Sequence, residues 1–320
     1  MNDALVTQAL QHFNINYTQV TPIKTSNNAV YRVDTTNATY ALRIHQQGKR
    51  KLEWIEAELT WLKALRQETD LLIPKPIAPV CTLNSDGTSI YCTLLEWIEG
   101  SQLLPKATTP EHAQQIGTFI AHLHNHSVNF SPPPNFTLPR LDWNGMFGGS
   151  GAYSIEGNTD LFTNEQHSIL NQIGEQVREV MATLDKEPDQ FGIIHADLIW
   201  KNILFNGEKV GAIDFDECAY GYYLYDLAPA LLGYMDEPNY PEIRVAIWDG
   251  YTSIRPLPAS FNQHLETLVA GRYALSCYWI EANRHNPAIG ERASEIIAFR
   301  TEQLRRYLET GKLRRGEIII

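Results

Sequence analysis

Between Phe191 and Glu217 the chain reads FGIIHADLIWKNILFNGEKVGAIDFDE, and few folds accommodate that order of elements. Short apolar runs on either side of Asn206-Gly207 predict a strand, a tight turn and a second strand, because Asn-Gly is a strong hairpin signal. A further strand, FGII, precedes the polar loop HADLIWKN. His195, Asp197, Asn202 and Asp214 then gather around the ends of one small hairpin.

The remainder of the chain must build a scaffold around that hairpin, and 320 residues exceed the usual single core. Two lobes with a cleft between them are the natural expectation. No stretch approaches the ~20 apolar residues of a membrane span, and the first residues lack a basic, then apolar, leader pattern. These features predict a cytoplasmic protein with no membrane partner. Cys81, Cys92, Cys218 and Cys277 show no CxxC spacing, so a disulfide framework or a structural zinc is not expected. A net charge of −11 works against nucleic-acid binding, which needs a basic surface.

After an opening helix, AVYRV and TYALRI alternate in polarity about the turn residues DTTNA and predict an antiparallel hairpin. EWIEAELTWLKALRQ has helical periodicity, IPKPIAP breaks it, and SIYCTLLEWI returns to strand. Residues 1–99 therefore predict a small α+β lobe. From residue 100 to 320 the texture is mainly helical, beginning with EHAQQIGTFIAHLHNH, whose Ala113, Ile116, Ile120 and Leu123 form one apolar stripe. The long stretch from Asn129 to Thr159, rich in Pro, Gly and aromatics, is a candidate lid.

Phosphoryl transfer needs one carboxylate to orient and deprotonate the attacking hydroxyl, and oxygen ligands to hold Mg²⁺ on the phosphates. Asp197, Asn202 and Asp214 are those residue types. The segment HADLIWKN, with Asp214 twelve residues after Asn202, resembles the aminoglycoside phosphotransferase and choline kinase family, whose catalytic loop is H-x-D-x-x-x-x-N. The resemblance implies a protein-kinase-like α+β fold with an antiparallel-sheet N-lobe and a larger helical C-lobe. It implies ATP and Mg²⁺ as cofactors, Asp197 as catalytic base, and Asn202 and Asp214 as metal ligands. His195 would brace the loop. In IDFDECAYGYYLYDLA, Asp226 resembles the family's second acid, which steadies the catalytic loop.

In TYALRIH a period of two places Ala41 and Arg43 on one face, similar to the A-x-K strand of kinases, where Ala makes room for adenine and the cation reaches the phosphates. A purely structural Arg43 is the alternative. On the following helix Glu58 shares the face of Trp54, Trp61, Leu62 and Leu65, and an inward carboxylate needs a partner; by resemblance that partner is Arg43. Ser26, Asn27 and Asn28 of the turn TSNNA are the candidate phosphate contacts, although such a turn is more often a plain hairpin loop. The strand YCTLLEWIEG resembles the lobe connector, whose backbone at Glu96 and Ile98 would meet the adenine edge. His124 is expected as a packed core histidine.

Only twelve residues separate Asp214 from Asp226, too few for the activation segment of a protein kinase. A kinase acting on a small-molecule hydroxyl is therefore expected, as a monomer or homodimer; a nucleotide-binding pseudokinase and a kinase of protein Ser/Thr are the alternatives. Asp216 and Glu217 follow the metal Asp directly and are expected beside the acceptor. With Tyr278, Trp279 and Glu281 of CYWIEANRH they would favour an acceptor that carries an amine or quaternary ammonium. The alternatives are that Asp216 is a second metal ligand or hydrogen-bond partner and that Tyr278 and Trp279 are helix core.

Overall fold

The computed structural model describes residues 3–25, 28–85, 87–148, 161–184, 186–187, 189–286 and 289–314. The chain divides into two compact units. Unit 1 comprises Met1–Gly100, Phe130–Leu138 and Gly211–Asp216; unit 2 comprises Ser101–Asn129, Pro139–Val210 and Glu217–Ile320.

Unit 1 begins with helix α1 (Asp3–His12), followed by strands β1 (Gln19–Thr25), β2 (Ala29–Asp34) and β3 (Thr39–Ile44). Helix α2 (Leu52–Glu68) and strands β4 (Cys81–Ser85) and β5 (Thr88–Glu96) complete it. The sheet is antiparallel in the order β1-β2-β3-β5-β4. Both strands that sequence patterning does not predict, β1 and β4, are its edges. Pro22 interrupts the alternation of β1, and proline is tolerated on an edge, where its missing N–H breaks no ladder bond.

The alternation of β3 sorts the two faces of the sheet. Leu42 and Ile44 enter an apolar cluster with Val6, Ala9 and Leu10 of α1 and Tyr31 and Val33 of β2. Ala41 and Arg43 face the opposite way, where Arg43 meets Glu58 of α2. The buried stripe of α2 contains Ile55, Glu58, Leu62 and Leu65. Trp54, expected on that stripe, is only half-buried and carries Arg50 and Lys51 over its ring, because Ile55 takes the inward position.

Unit 2 contains α3 (Pro110–Asn129), β6 (Arg140–Leu141), α4 (Trp143–Met146), α5 (Asn164–Thr183) and β7 (Phe191–Ile194). A hairpin of β8 (Ile203–Asn206) and β9 (Lys209–Ala212) follows, and the division between the units falls within β9. Then come β10 (Ala219–Tyr222), α6 (Tyr223–Leu232), α7 (Tyr240–Ile254), α8 (Leu265–Ala282) and α9 (Ala293–Thr310). The hairpin loop is Gly207-Glu208 rather than Asn206-Gly207. Asn206 closes β8, and Gly207 at φ +60° takes the first turn position, as a type II′ turn requires. The candidate lid contains β6 and α4, while its residues 149–159 lie outside the described ones. Among the described residues no helix is long and apolar enough to cross a membrane.

Helices α3 and α7 cross at paired glycines. A Cβ on Gly117 would stand 2.1 Å from the Ile247 carbonyl oxygen, and one on Gly250 would stand 2.1 Å from that of Gln114. Neither obstacle is a flexible side chain, so the backbones must separate to admit a methyl group. Gly117→Ala should therefore destabilise the protein by about 2–3 kcal/mol in urea unfolding, toward the upper end for overpacking. A change below about 0.5 kcal/mol would show that the helices part freely.

Candidate active site

The catalytic-loop residues meet in unit 2, in the segment between β7 and β8. The Asp226 carboxylate, fully buried on the first turn of α6, accepts the backbone N–H groups of His195 (2.9 Å) and Ala196 (2.7 Å). Ala196 has φ +70°, a left-handed conformation that costs a non-glycine residue ~1–2 kcal/mol. Asp226 offsets that cost with charge-assisted bonds and so fixes the turn on which Asp197 stands. His195, also fully buried, accepts the Asp197 N–H on Nδ1 at 3.3 Å.

Both oxygens of the Asp197 carboxylate are held. Arg272 of α8 donates to Oδ1 at 2.7 Å, and Asn202 donates through Nδ2 to Oδ2 at 3.1 Å and to the Asp197 carbonyl at 2.8 Å. These bonds turn the Asn202 amide so that its carbonyl Oδ1 points elsewhere. Glu217 lies in the same neighbourhood. Burial raises the pKa of Tyr225, Arg272 works against that rise, and the charges of Asp197, Asp226 and Glu217 add to it.

His124 lies beneath the loop as the packed histidine the sequence predicts, bonded to Asp226 (3.1 Å) and Tyr251 (3.0 Å). Burial lowers its pKa despite the adjacent Asp226, so it is the neutral imidazole. Nε2–H then donates to Asp226 and Nδ1 accepts from Tyr251, whose oxygen accepts from Arg255 Nε at 3.2 Å.

Unit 1 gathers the charged residues expected around phosphates. Arg43 Nη1 donates to Glu58 Oε1 at 2.8 Å and Oε2 at 3.1 Å, with both residues buried. Burial would lower the Arg43 pKa, but Glu58, Asp216 and Asp214 more than reverse it, so the guanidinium stays charged. Its Nη2 stands 3.5 Å from Asp214 Oδ1, while Lys24 of β1 stands 3.2 Å from Asp214 Oδ2. Burial would raise the Asp214 pKa, and these two cations hold it below the ordinary carboxylate value. Asp214 itself has φ +67°.

Several expected contacts differ. Asp216, expected beside the acceptor, belongs to unit 1 and accepts from Asn28 Nδ2 at 2.6 Å. Asn28 also accepts the Gln46 N–H, so it ties elements of unit 1 together. The Glu96 N–H donates to the Lys75 carbonyl, which limits an adenine contact at that residue to its own carbonyl, and its side chain pairs with Arg66. Ala41 and Ile98 are half-buried in the same unit. Ser26 and Asn27 lie outside the described residues.

On α8, Trp279 is seven residues from Arg272 and so shares its face, about 10 Å further along. Glu281, nine residues on, falls on the opposite face and pairs loosely with Arg284 (4.0 Å). The structure thus does not bring Glu281 to Asp197, and Tyr278 is buried against Phe162 as helix core.

Patterning missed Lys24 and Arg272. For Arg272 the signal was present: it is the sole charged residue between Glu266 and Glu281 of an otherwise apolar helix, and such a charge requires a partner. Lys24 follows a proline in an irregular strand and had no such signal.

Carboxylate and amide oxygens are ligand types suited to a small hard cation. Asp214 offers a carboxylate and Asn202 an amide oxygen, and no cluster of three or more His, Cys, Asp or Glu among the described residues forms a complete metal cage. Mg²⁺ commonly takes one or two protein oxygens and completes its shell with phosphate and water.

Residues 19–261 match the family model of the phosphotransferase enzyme family, and the chain belongs to that family. It is a kinase whose acceptor is the hydroxyl of a small molecule. A homoserine kinase of Brucella anthropi is 26% identical over 260 residues, 76% of this chain and 72% of its own. The structure of a microcompartment-associated aminopropanol kinase superposes with a TM-score of 0.83 at 26% identity, covering 98% of this chain and 100% of that one. Amicoumacin kinase hAmiN, solved in complex with AMP-PNP, Ca²⁺ and Ami, has a TM-score of 0.77 at 18% identity, covering 95% and 93%. Membership of this family implies a nucleotide and a divalent metal ion.

Arg43→Ala leaves Glu58 buried without its cation, which should destabilise the protein by about 3–5 kcal/mol in chemical denaturation. Arg43→Met combined with Glu58→Leu should recover most of that loss, since an apolar pair carries no desolvation penalty. Equal losses in the two variants would show that packing, rather than the charge pair, sets the stability.

Proposed function

We propose that this chain is an ATP- and Mg²⁺-dependent kinase of a small cytoplasmic amino alcohol, with Asp197 as catalytic base. The observation that carries the assignment is the Asp197 carboxylate, held at both oxygens by Arg272 and Asn202 on a loop that Asp226 locks from below. A carboxylate restrained in this way orients the acceptor O–H and takes its proton as the hydroxyl oxygen attacks the γ-phosphorus, with ADP as leaving group. Arg272 acts as a positioning residue, since its contact is with the base.

In this reading unit 1 binds the nucleotide. Arg43, fixed by Glu58, meets the phosphates, Ala41 leaves room for the base, and the Glu96 carbonyl and Ile98 backbone meet the adenine edge. Asp214 and Asn202 would hold the metal, which would neutralise phosphate charge when bound. His195 and Asp226 hold the loop. On unit 2, Glu217 and the face of Trp279 beyond Arg272 supply the acceptor wall. An aromatic face with a nearby carboxylate suits an ammonium group, and homoserine and aminopropanol, named for two relatives, both carry an amine and a hydroxyl.

Asp197→Asn should leave the fold and nucleotide affinity nearly intact and lower kcat by ~10²–10⁴-fold, measured by coupled ADP release. Full activity in that variant would remove Asp197 from the chemistry. Asp214→Ala should abolish activity at any metal concentration, whereas Asn202→Ala should be partly restored by excess Mg²⁺, because the lost ligand is neutral. An unchanged metal titration in the Asp214 variant would refute the ligand assignment. Across a panel of hydroxylated metabolites, the highest kcat/KM should fall on an amino alcohol; a neutral sugar at the top would overturn the acceptor class.

A further inference from the structure

We infer that Lys24 is a phosphate-binding residue that exchanges between the Asp214 carboxylate and the nucleotide phosphates. The inference rests on the assignment of Asp214 to the metal.

A break in the sheet aims the side chain. In the β1–β2 ladder Pro22 opposes Tyr31 and Lys24 opposes Val30, so Ile23 is a single extra residue in β1. One bulged residue reverses the face to which all later side chains point. Val30 in turn opposes Arg43, and Tyr31 belongs to the apolar cluster under α1. The bulge therefore places Lys24 on the Arg43 face of the sheet; in regular register it would oppose Ala29 and point toward α1.

The two cations on Asp214 differ in freedom. Arg43 is 5% exposed and bound at two oxygens of Glu58, so it cannot leave. Lys24 is 51% exposed on a flexible four-carbon stem, while Asp214 is 21% exposed. A divalent ion arriving at this carboxylate is repelled by whichever cation stays, and only Lys24 can move.

Phosphate offers Lys24 a place to go. A phosphate whose metal is held by Asp214 would lie beside the Lys24 ammonium, which stands 3.2 Å from that carboxylate. The exchange would keep each charge paired, with the carboxylate passing to the metal and the ammonium to the phosphate.

Lys24→Met and Lys24→Arg should be compared with the unaltered protein by calorimetric titration with MgATP and with adenosine. Binding of Mn²⁺ alone should be followed by electron paramagnetic resonance. Lys24→Met should weaken MgATP about 10-fold or more, as loss of one charged hydrogen bond predicts, and leave adenosine unchanged. Lys24→Arg should retain most of the ATP affinity. Mn²⁺ alone should bind more tightly to Lys24→Met, because the competing ammonium is gone. Unchanged ATP affinity in Lys24→Met, equal losses for ATP and adenosine, or weaker Mn²⁺ binding would each overturn the inference. If Asp214→Ala eliminates the metal response while Lys24→Met leaves ATP affinity intact, the role of Lys24 falls and that of Asp214 stands.

Discussion

The catalytic loop depends on one buried carboxylate. Asp226 has no exposed surface, and its two oxygens take three hydrogen bonds, from two consecutive backbone amides and one imidazole. A buried carboxylate without partners would be expensive, and donors that converge on one are correspondingly strong. Those two amides belong to the residues that turn the chain into Asp197, so the loop cannot relax its left-handed residue without stripping a buried charge of its partners. The strain at Ala196 and the burial of Asp226 are thus two sides of one arrangement.

The hydrogen-bond directions extend that arrangement outward. Arg255 donates to Tyr251, Tyr251 to His124, and His124 to Asp226, a chain in which each neutral link has its donor and acceptor set by its neighbours. Only a neutral His124 satisfies the chain, because a protonated ring would present an N–H to the Tyr251 hydroxyl and force that O–H elsewhere. Burial, which lowers the His124 pKa, therefore also preserves the direction of the network.

Much of the candidate site's arrangement was legible in the sequence, since the motif places these side chains on one loop and the hairpin after it. His195, Asp197, Asn202, Asp214 and Asp226 could be read from one stretch of the chain, and the inward face of Glu58 from helical period alone. The edge strands β1 and β4 were not legible, since a proline-broken or very short strand carries little periodicity. Contacts between residues distant in sequence were also hidden. Asp214 takes a positive φ that no local pattern reports at an aspartate, and Asp216, two residues on, bonds Asn28, far away in sequence. Sequence distance misled on α8 as well, where Glu281 and Trp279 are two residues apart but face different ways.

Carboxylates in this protein are held in ways that match their exposure. Asp226, wholly buried, is bound by backbone amides and a neutral imidazole, so no second full charge is desolvated with it. Glu58, almost as buried, is paired with Arg43, whose single Nη1 reaches both carboxylate oxygens. Asp197 and Asp214 are each about one-fifth exposed, and each carries a cation on Oδ1, from Arg272 and Arg43 respectively. Their second oxygens differ: Asn202 holds that of Asp197 with a neutral amide, and Lys24 holds that of Asp214 with a mobile charge. On the proposed reading, with Asp197 as base and Asp214 as metal ligand, the neutral amide on the second oxygen of Asp197 adds no further charge against the proton, and the half-exposed lysine on Asp214 is the partner most easily released.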